Sequence, residues 1–209
     1  MYSSFRKLAI TIVFCMFGTL HCLGQSDEAV LKKRNQVFVQ LRPALMVPST
    51  FGSNFFNEAY DTSAGFMGEA LVFFKSRMHL GIQGSFSRAE VTNSALVGEF
   101  EETTSSHHYF LGGYSFLPRA DRLGLDASLG FGYAKYNNRV EEIRFYDDGF
   151  SLLLNTRVTY RFSSIVGVHA GAQFTKDFLN TEVAPELRSF FKNANIVYFS
   201  AGLVFYINQ

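Results

Sequence analysis

The longest regular pattern of apolar and polar positions runs from Phe150 to Phe162. Phe150, Leu152, Leu154, Thr156, Val158, Tyr160 and Phe162 share one face of an extended chain, and Ser151, Leu153, Asn155, Arg157, Thr159 and Arg161 share the other. Alternation of period two is the mark of a strand. This one is about twice as long as an ordinary strand. A tilted strand needs roughly 10 residues to cross a bilayer, so the stretch is long enough to span one.

The same alternation recurs along the chain and predicts eight strands. The first runs from about Gln36 to Val47, with Val37, Val39, Leu41 and Leu45 opposed to Gln40 and Arg42. Pro43 interrupts it, because proline removes a ladder donor, and a bulge or a weakly paired spot is expected there. The second spans Ala64 to Phe74, the third Met78 to Glu90, the fourth His108 to Leu117, and the fifth Leu123 to Tyr136. Phe150 to Phe162 is the sixth, Ile165 to Asp177 the seventh and Ile196 to Ile207 the eighth. The fourth has two similarly apolar faces, so its register is not assigned by pattern. Lys75-Ser76-Arg77, Pro118 to Asp121 and Ser163-Ser164 read as short turns, whereas 48–63, 91–106, 137–149 and 178–195 read as long loops.

The N-terminus is of a different kind. Arg6 and Lys7 precede an apolar run from Leu8 to Leu20, and Cys22 and Gly24 offer small residues before Gln25. That is the pattern of a cleaved secretory signal peptide over 1–24, leaving 25–209 as one barrel domain. Both cysteines, Cys15 and Cys22, fall in the leader, so a disulfide framework is not expected in the mature chain. A formal net charge of +1 gives no reason to expect a nucleic-acid partner.

Eight alternating strands could form a secreted barrel with its apolar face inside, or a membrane barrel with that face outside. The less apolar face decides. On a soluble barrel it meets water and should be crowded with charge. Here it is largely Gly, Ser, Thr and Gln with isolated charges, which suits the narrow lumen of an eight-stranded barrel. The long and short connections also alternate, as they do in outer-membrane barrels.

On these strands, and on the aromatic-rich terminus Leu203 to Gln209, the chain resembles small outer-membrane β-barrels of the OmpX and OmpA transmembrane type and PorT-like barrels. It departs from their commonest form in not ending on an aromatic residue. The resemblance implies an eight-stranded antiparallel up-and-down transmembrane barrel in a Gram-negative outer membrane. It also implies outer-membrane lipid and lipopolysaccharide as surroundings, and the barrel assembly machinery as a partner in biogenesis.

Counting from the short turns places Arg42, Glu69, Asp126 and Arg157 at similar heights inside, with Arg161 nearby. Unpaired charge is costly in a dry lumen, so cross-strand pairs Arg42–Glu69 and Asp126–Arg157 are expected. A filled eight-stranded lumen leaves no aqueous channel. His79 and His169 also face inward, with too few further donors for a metal site. No cofactor or metal is expected.

Catalytic residue types gather at one point, where Glu101, Glu102, Ser105, Ser106, His107 and His108 enter the fourth strand. A hydrolase needs nucleophile, base and orienting acid in contact, and adjacency in sequence does not supply that geometry. The spacing departs from the His-x-Ser strand pattern of outer-membrane lipid A deacylases. Loop aromatics Phe51, Phe55, Phe56 and Tyr60, with Phe190 and Phe191, could form a surface-interaction site or cap the barrel mouth. Tyr133, Tyr160 and Tyr206 are expected in an interfacial aromatic belt. Acidic pairs Glu101-Glu102, Glu141-Glu142 and Asp147-Asp148 are expected to be solvated loop charges.

The expectation is therefore a non-enzymatic envelope-structural or surface-interaction protein, acting through four long extracellular loops on an extracellular or envelope partner. A lipid A-modifying acyl hydrolase or transferase is the alternative of different class. An accessory subunit of an export or uptake complex is the third.

Overall fold

Period-two alternation becomes strand wherever one face can be buried, and the computed structural model bears this out along the chain. It describes residues 38–74, 77–98, 100, 102–117, 122–140, 142–181 and 188–208. The expected leader and its two cysteines lie outside the described residues. In chain order the elements are β1 (Phe38–Thr50), α1 (Phe55–Ala59), β2 (Tyr60–Thr62), β3 (Gly65–Phe73), β4 (Met78–Val91) and α2 (Ser94–Val97). There follow β5 (Glu102–Ser115), β6 (Leu123–Val140), β7 (Ile143–Arg161), β8 (Val166–Leu179), α3 (Arg188–Phe191) and β9 (Asn193–Asn208).

All strands but β2 form one antiparallel cylinder. Each pairs with the next in the order β1, β3, β4, β5, β6, β7, β8, β9, and β9 returns to β1. Closure removes every sheet edge, which satisfies the backbone of a barrel in lipid. The three-residue β2 pairs only with the end of β4, at the long-loop rim. Pro43 produces no bulge. The β1–β3 ladder runs through it unbroken, while on the β9 side the register continues past a gap at Arg42 and Pro43.

The outer wall is apolar. Phe66 is 68% exposed and Leu129 67%, with Leu45, Ile82, Phe110, Phe131, Leu154 and Phe199 also bare. Among the described residues no Asp, Glu, Lys or Arg points outward between the short turns and the level of Arg88, Lys135, Asp148 and Lys176. The run from Phe150 to Tyr160, at about 3.4 Å per residue and tilted about 40°, rises about 26 Å, the height of a bilayer-crossing apolar band. A wall of this kind is stable against lipid and unstable in water.

Several boundaries depart from the sequence expectation. The expected third loop is mostly strand: β6 and β7 pair continuously out to Val140 opposite Ile143, a hairpin standing above the barrel. Its outer part, Arg139 and Val140 with Ile143 to Tyr146, meets solvent on both faces, so no inside-outside alternation marks it there. β5 begins six residues before the expected His108, at Glu102. Its register is now assigned: Thr103, Ser105, His107, Tyr109 and Leu111 are buried, and His108 and Phe110 are exposed on the wall. Tyr206 faces the lumen at 3% exposure and does not belong to the interfacial belt, whereas Tyr133 is on the wall.

Candidate functional site

A lumen this narrow must be filled by side chains, and the way each residue fills it limits the chemistry available. Arg42 and Arg157 are its largest fully buried side chains. Arg42 sits opposite Glu69 in the β1–β3 ladder, and Asp126 opposite Arg157 in the β6–β7 ladder, as the counting from turns placed them. The bonds run otherwise. Arg42 Nη1 and Nη2 hold the two Asp126 oxygens at 3.1 and 2.9 Å, in the bidentate fork geometry of guanidinium with carboxylate. Arg157 Nη2 holds Glu69 Oε1 at 2.6 Å. The adjacent Arg42–Glu69 contact is looser, at 3.7 Å, and the expected Asp126–Arg157 pair gives way to these two bridges. Gln40 and Asn155 accept further bonds from Arg42 and Arg157, and His169 Nδ1 lies 3.3 Å from Arg157 Nη1. Arg161 stands apart from this set, with its guanidinium 3.9 Å above the Tyr206 ring.

A second buried network centres on Asp177, on β8. His107 Nε2 lies 2.9 Å from Asp177 Oδ2. Ser151 Oγ donates to the other carboxylate oxygen and Tyr136 OH to the same one as His107. Ser151 is also bonded to Tyr109 OH at 2.7 Å. Sequence reasoning had placed Asp177 only as a strand end. Strand parity alone puts it inward, two turns of the alternation beyond Gln173.

The candidate catalytic cluster is divided by the wall. Ser105 and His107 are buried; Ser106 and His108 belong to the other face of β5. Ser105 Oγ is bonded to Ser87 Oγ at 2.7 Å, not to a histidine. Glu102 is taken by Arg88 at 3.1 Å and Arg139 at 3.8 Å. Among the described residues the serine hydrogen-bonded to the His107–Asp177 pair is Ser151, and it bonds to the acid rather than to the base. A serine nucleophile is activated by a base that accepts its proton, and this order of bonds does not provide one.

Above Asp177 the mouth is capped. Asn54 accepts a bond from Asn57 N at 3.0 Å and so starts α1. That short helix turns Phe55 and Phe56 into the barrel mouth, where Phe56 meets Tyr136 edge-on at 5.2 Å and Phe55 stacks on Phe191 at 5.6 Å. Phe55, Phe56 and Tyr60 are buried; Phe190 and Phe191 pack, partly buried, against the same cluster. Phe51 remains 43% exposed, beside Phe174. Exposed apolar side chains that sequence reasoning did not single out lie on the β6–β7 hairpin: Ile143, Phe145 and Tyr146. They were hidden in a stretch read as a loop whose notable feature was its acidic pairs. Lys135 Nζ sits 4.0 Å from the Tyr146 ring centroid and Phe100 lies beside Phe145.

No family model and no curated protein matches the chain by sequence. Solved structures match it by shape. Neisserial surface protein A superposes with a TM-score of 0.54 at 14% identity, over 81% of this chain and 96% of the other. The outer membrane protein OprG of Pseudomonas aeruginosa gives 0.53 at 10% identity, over 83% and 96%. A major outer membrane protein of Thermus thermophilus gives 0.54 at 8% identity, over 81% and 99%. The fold is that of the small outer-membrane β-barrels. At these identities the likeness reaches the backbone and stops short of ligand or role.

Proposed function

We propose that this chain resides in a Gram-negative outer membrane and works through its long-loop rim, as an envelope-structural or surface-interaction protein, not through its lumen. The observation that carries this reading is the lumen itself. It is crossed by two salt bridges and closed above by Phe55, Phe56 and Tyr136, so no solute has a path through it. What remains available to partners is the surface above the apolar band. There the β6–β7 hairpin presents Ile143, Phe145 and Tyr146 to solvent, and Phe51 projects from the first loop. Exposed apolar side chains on a rigid support are a usual basis for partner contact. Export through the leader at 1–24, assembly by the barrel machinery, and lipopolysaccharide around the upper wall complete the picture. The name of Neisserial surface protein A, which shares the fold, is of the same kind.

Both native cysteines lie at 15 and 22, so single-cysteine variants test the arrangement directly. Phe145→Cys should react with a membrane-impermeant maleimide on intact cells, and Arg77→Cys, beside a short turn, only after lysis. A photo-crosslinker at position 145 should then capture a discrete envelope or extracellular protein. The opposite labelling pattern, or labelling of neither site on intact cells, overturns the reading.

A further inference from the structure

The other end of the barrel holds a feature that this role does not use. Enclosed by β1, β3, β5, β6, β7 and β9, at the short-turn mouth, lies a cavity of about 30 Å³, lined by Ser115, Arg122, Asp126, Thr159, Arg161 and Tyr206 together with side chains of β1 and β3. Four charged side chains face it, the fourth being Arg42. Arg42 occupies both oxygens of Asp126, so that pair is closed on itself. Arg122 and Arg161 are left over, and among the described residues neither has a carboxylate partner. The neighbouring turn residues 118–121 lie outside the described set.

Arg161 is the telling residue. It is only 8% exposed, and its Nε is fully buried without a hydrogen-bond partner. The Tyr206 ring covers the face of its guanidinium. That contact orients the plane but accepts none of the in-plane N–H groups. A buried guanidinium donor with nothing to donate to is costly, and the group that best satisfies it is an oxyanion. The hydroxyls of Ser115 and Thr159 add donors around the same space, and among the described residues the unmatched charge facing it is that of two arginines. We propose that this cavity binds a single oxyanion group, a carboxylate or a phosphate, held between Arg122 and Arg161. The volume admits a group of a few atoms and no whole metabolite. The rest of the ligand must therefore project from the mouth. Such a group can come from a soluble anion or from the headgroup of an anionic lipid beside the barrel.

The test uses the protein purified from membranes, labelled uniformly with nitrogen-15 and reconstituted in phosphatidylcholine nanodiscs. Inorganic phosphate and acetate are titrated while the Arg161 Nε–H resonance is followed, with potassium chloride at matched ionic strength as the reference. Saturable shifts with phosphate or acetate, absent with chloride, are expected. Arg161→Gln and Arg122→Gln should each weaken binding roughly tenfold or more, read from amide shifts around Ser115 and Gly124. Arg144→Gln, on the distant hairpin, should leave it unchanged. Arg122 is not buried, so its variant tests the site even if Arg161→Gln fails to fold. In a second arm, phosphatidylglycerol replaces part of the phosphatidylcholine without added anion. The same shift there, with no response to free phosphate or acetate, assigns the oxyanion to lipid. Responses that only track ionic strength in both arms, or saturable binding indifferent to both variants, overturn the proposal.

Discussion

Asp126 faces Arg157 directly across the β6–β7 ladder, yet both of its oxygens are bonded to Arg42, four strands away around the cylinder. Glu69 on β3 and Arg157 on β7 are likewise four strands apart. Each bridge therefore spans the lumen instead of following its wall. A long arginine side chain on one side meets a short carboxylate on the other, and the two together fill the cross-section. Pairing between adjacent strands would leave the centre empty.

Removing one partner of such a bridge strands the other in a dry interior. Arg42→Met is expected to destabilise the barrel by about 3–5 kcal/mol, because Asp126 is then left buried without its guanidinium partner. The double variant Arg42→Met with Asp126→Leu should recover most of that loss, since a well-packed apolar pair often replaces a buried ion pair without penalty. Denaturant midpoints of the refolded protein in lipid vesicles make the comparison. A double variant no more stable than the single one contradicts the spanning-bridge account.

The cap should be separable from the cylinder. Phe56 is 1% exposed and packs on Tyr136, but its helix adds no strand to the barrel. Phe56→Ala is expected to cost the closed state of the cap about 3–5 kcal/mol. The readout is faster amide exchange over α1 and β2 with exchange in β6 to β9 unchanged. Planar-bilayer conductance should stay absent, because the two spanning bridges still cross the lumen. A conducting Phe56→Ala variant would show that the cap, not the bridges, seals the barrel.

How much of this was legible in the sequence follows from where alternation has a physical cause. Where one face meets lipid and the other the lumen, as at Phe150 to Arg161, parity fixes side-chain direction, and strand number, order and inward charges could all be read. Where both faces meet solvent, as at Arg139 and Val140 and from Ile143 to Tyr146, nothing selects an alternation and the hairpin read as a loop. The fourth strand failed for a different reason. Its inner face carries Tyr109 and Leu111, as apolar as the Phe110 outside, because these two join an apolar cluster inside the lumen. Tyr206 was misplaced on the same account. Of the charge pairing only the looser Arg42–Glu69 contact was legible, since strand register gives the adjacent neighbour and the two shorter bridges join opposite sides of the lumen. Of the site residues, His107 and Ser105 could be named by type. Their separation from His108 and Ser106 required the register of β5.

Glycine positions give a sharper contrast between the two faces of the wall, with Gly132 on the lumen side and Gly68 on the outer side. A Cβ at Gly132 would lie 1.9 Å from the carbonyl oxygen of His108, part of the neighbouring backbone. A Cβ at Gly68 would meet nothing within 4 Å. Gly132→Ala is therefore expected to force β5 and β6 apart and to abolish the heat-modifiable folded band on unheated gels. Gly68→Ala should fold as the parent does. Strands coil tightly where glycine allows close backbone approach, so equal tolerance at the two positions would mean that β5 and β6 are not so closely apposed.

The enzymatic alternative meets its test in the lipid A of cells with and without this protein. A hydrolase acting on membrane lipid needs its nucleophile, base and acid in contact on the lipid-facing side near the interface. Of the candidate residues, Ser106 and His108 are on that side, but Glu102 is engaged by two arginines and Ser105 and His107 are buried within the lumen. The His107–Asp177 pair is closed off by the cap above and by packed side chains around it. An acyl chain has no route to it. The lipid A mass spectrum is therefore expected to be identical in the two strains. A gain or loss of one acyl chain that disappears in His108→Ala would place chemistry on the outer wall. One that disappears only in His107→Ala would mean that the cap opens to admit lipid, and Phe56→Ala should then raise the activity.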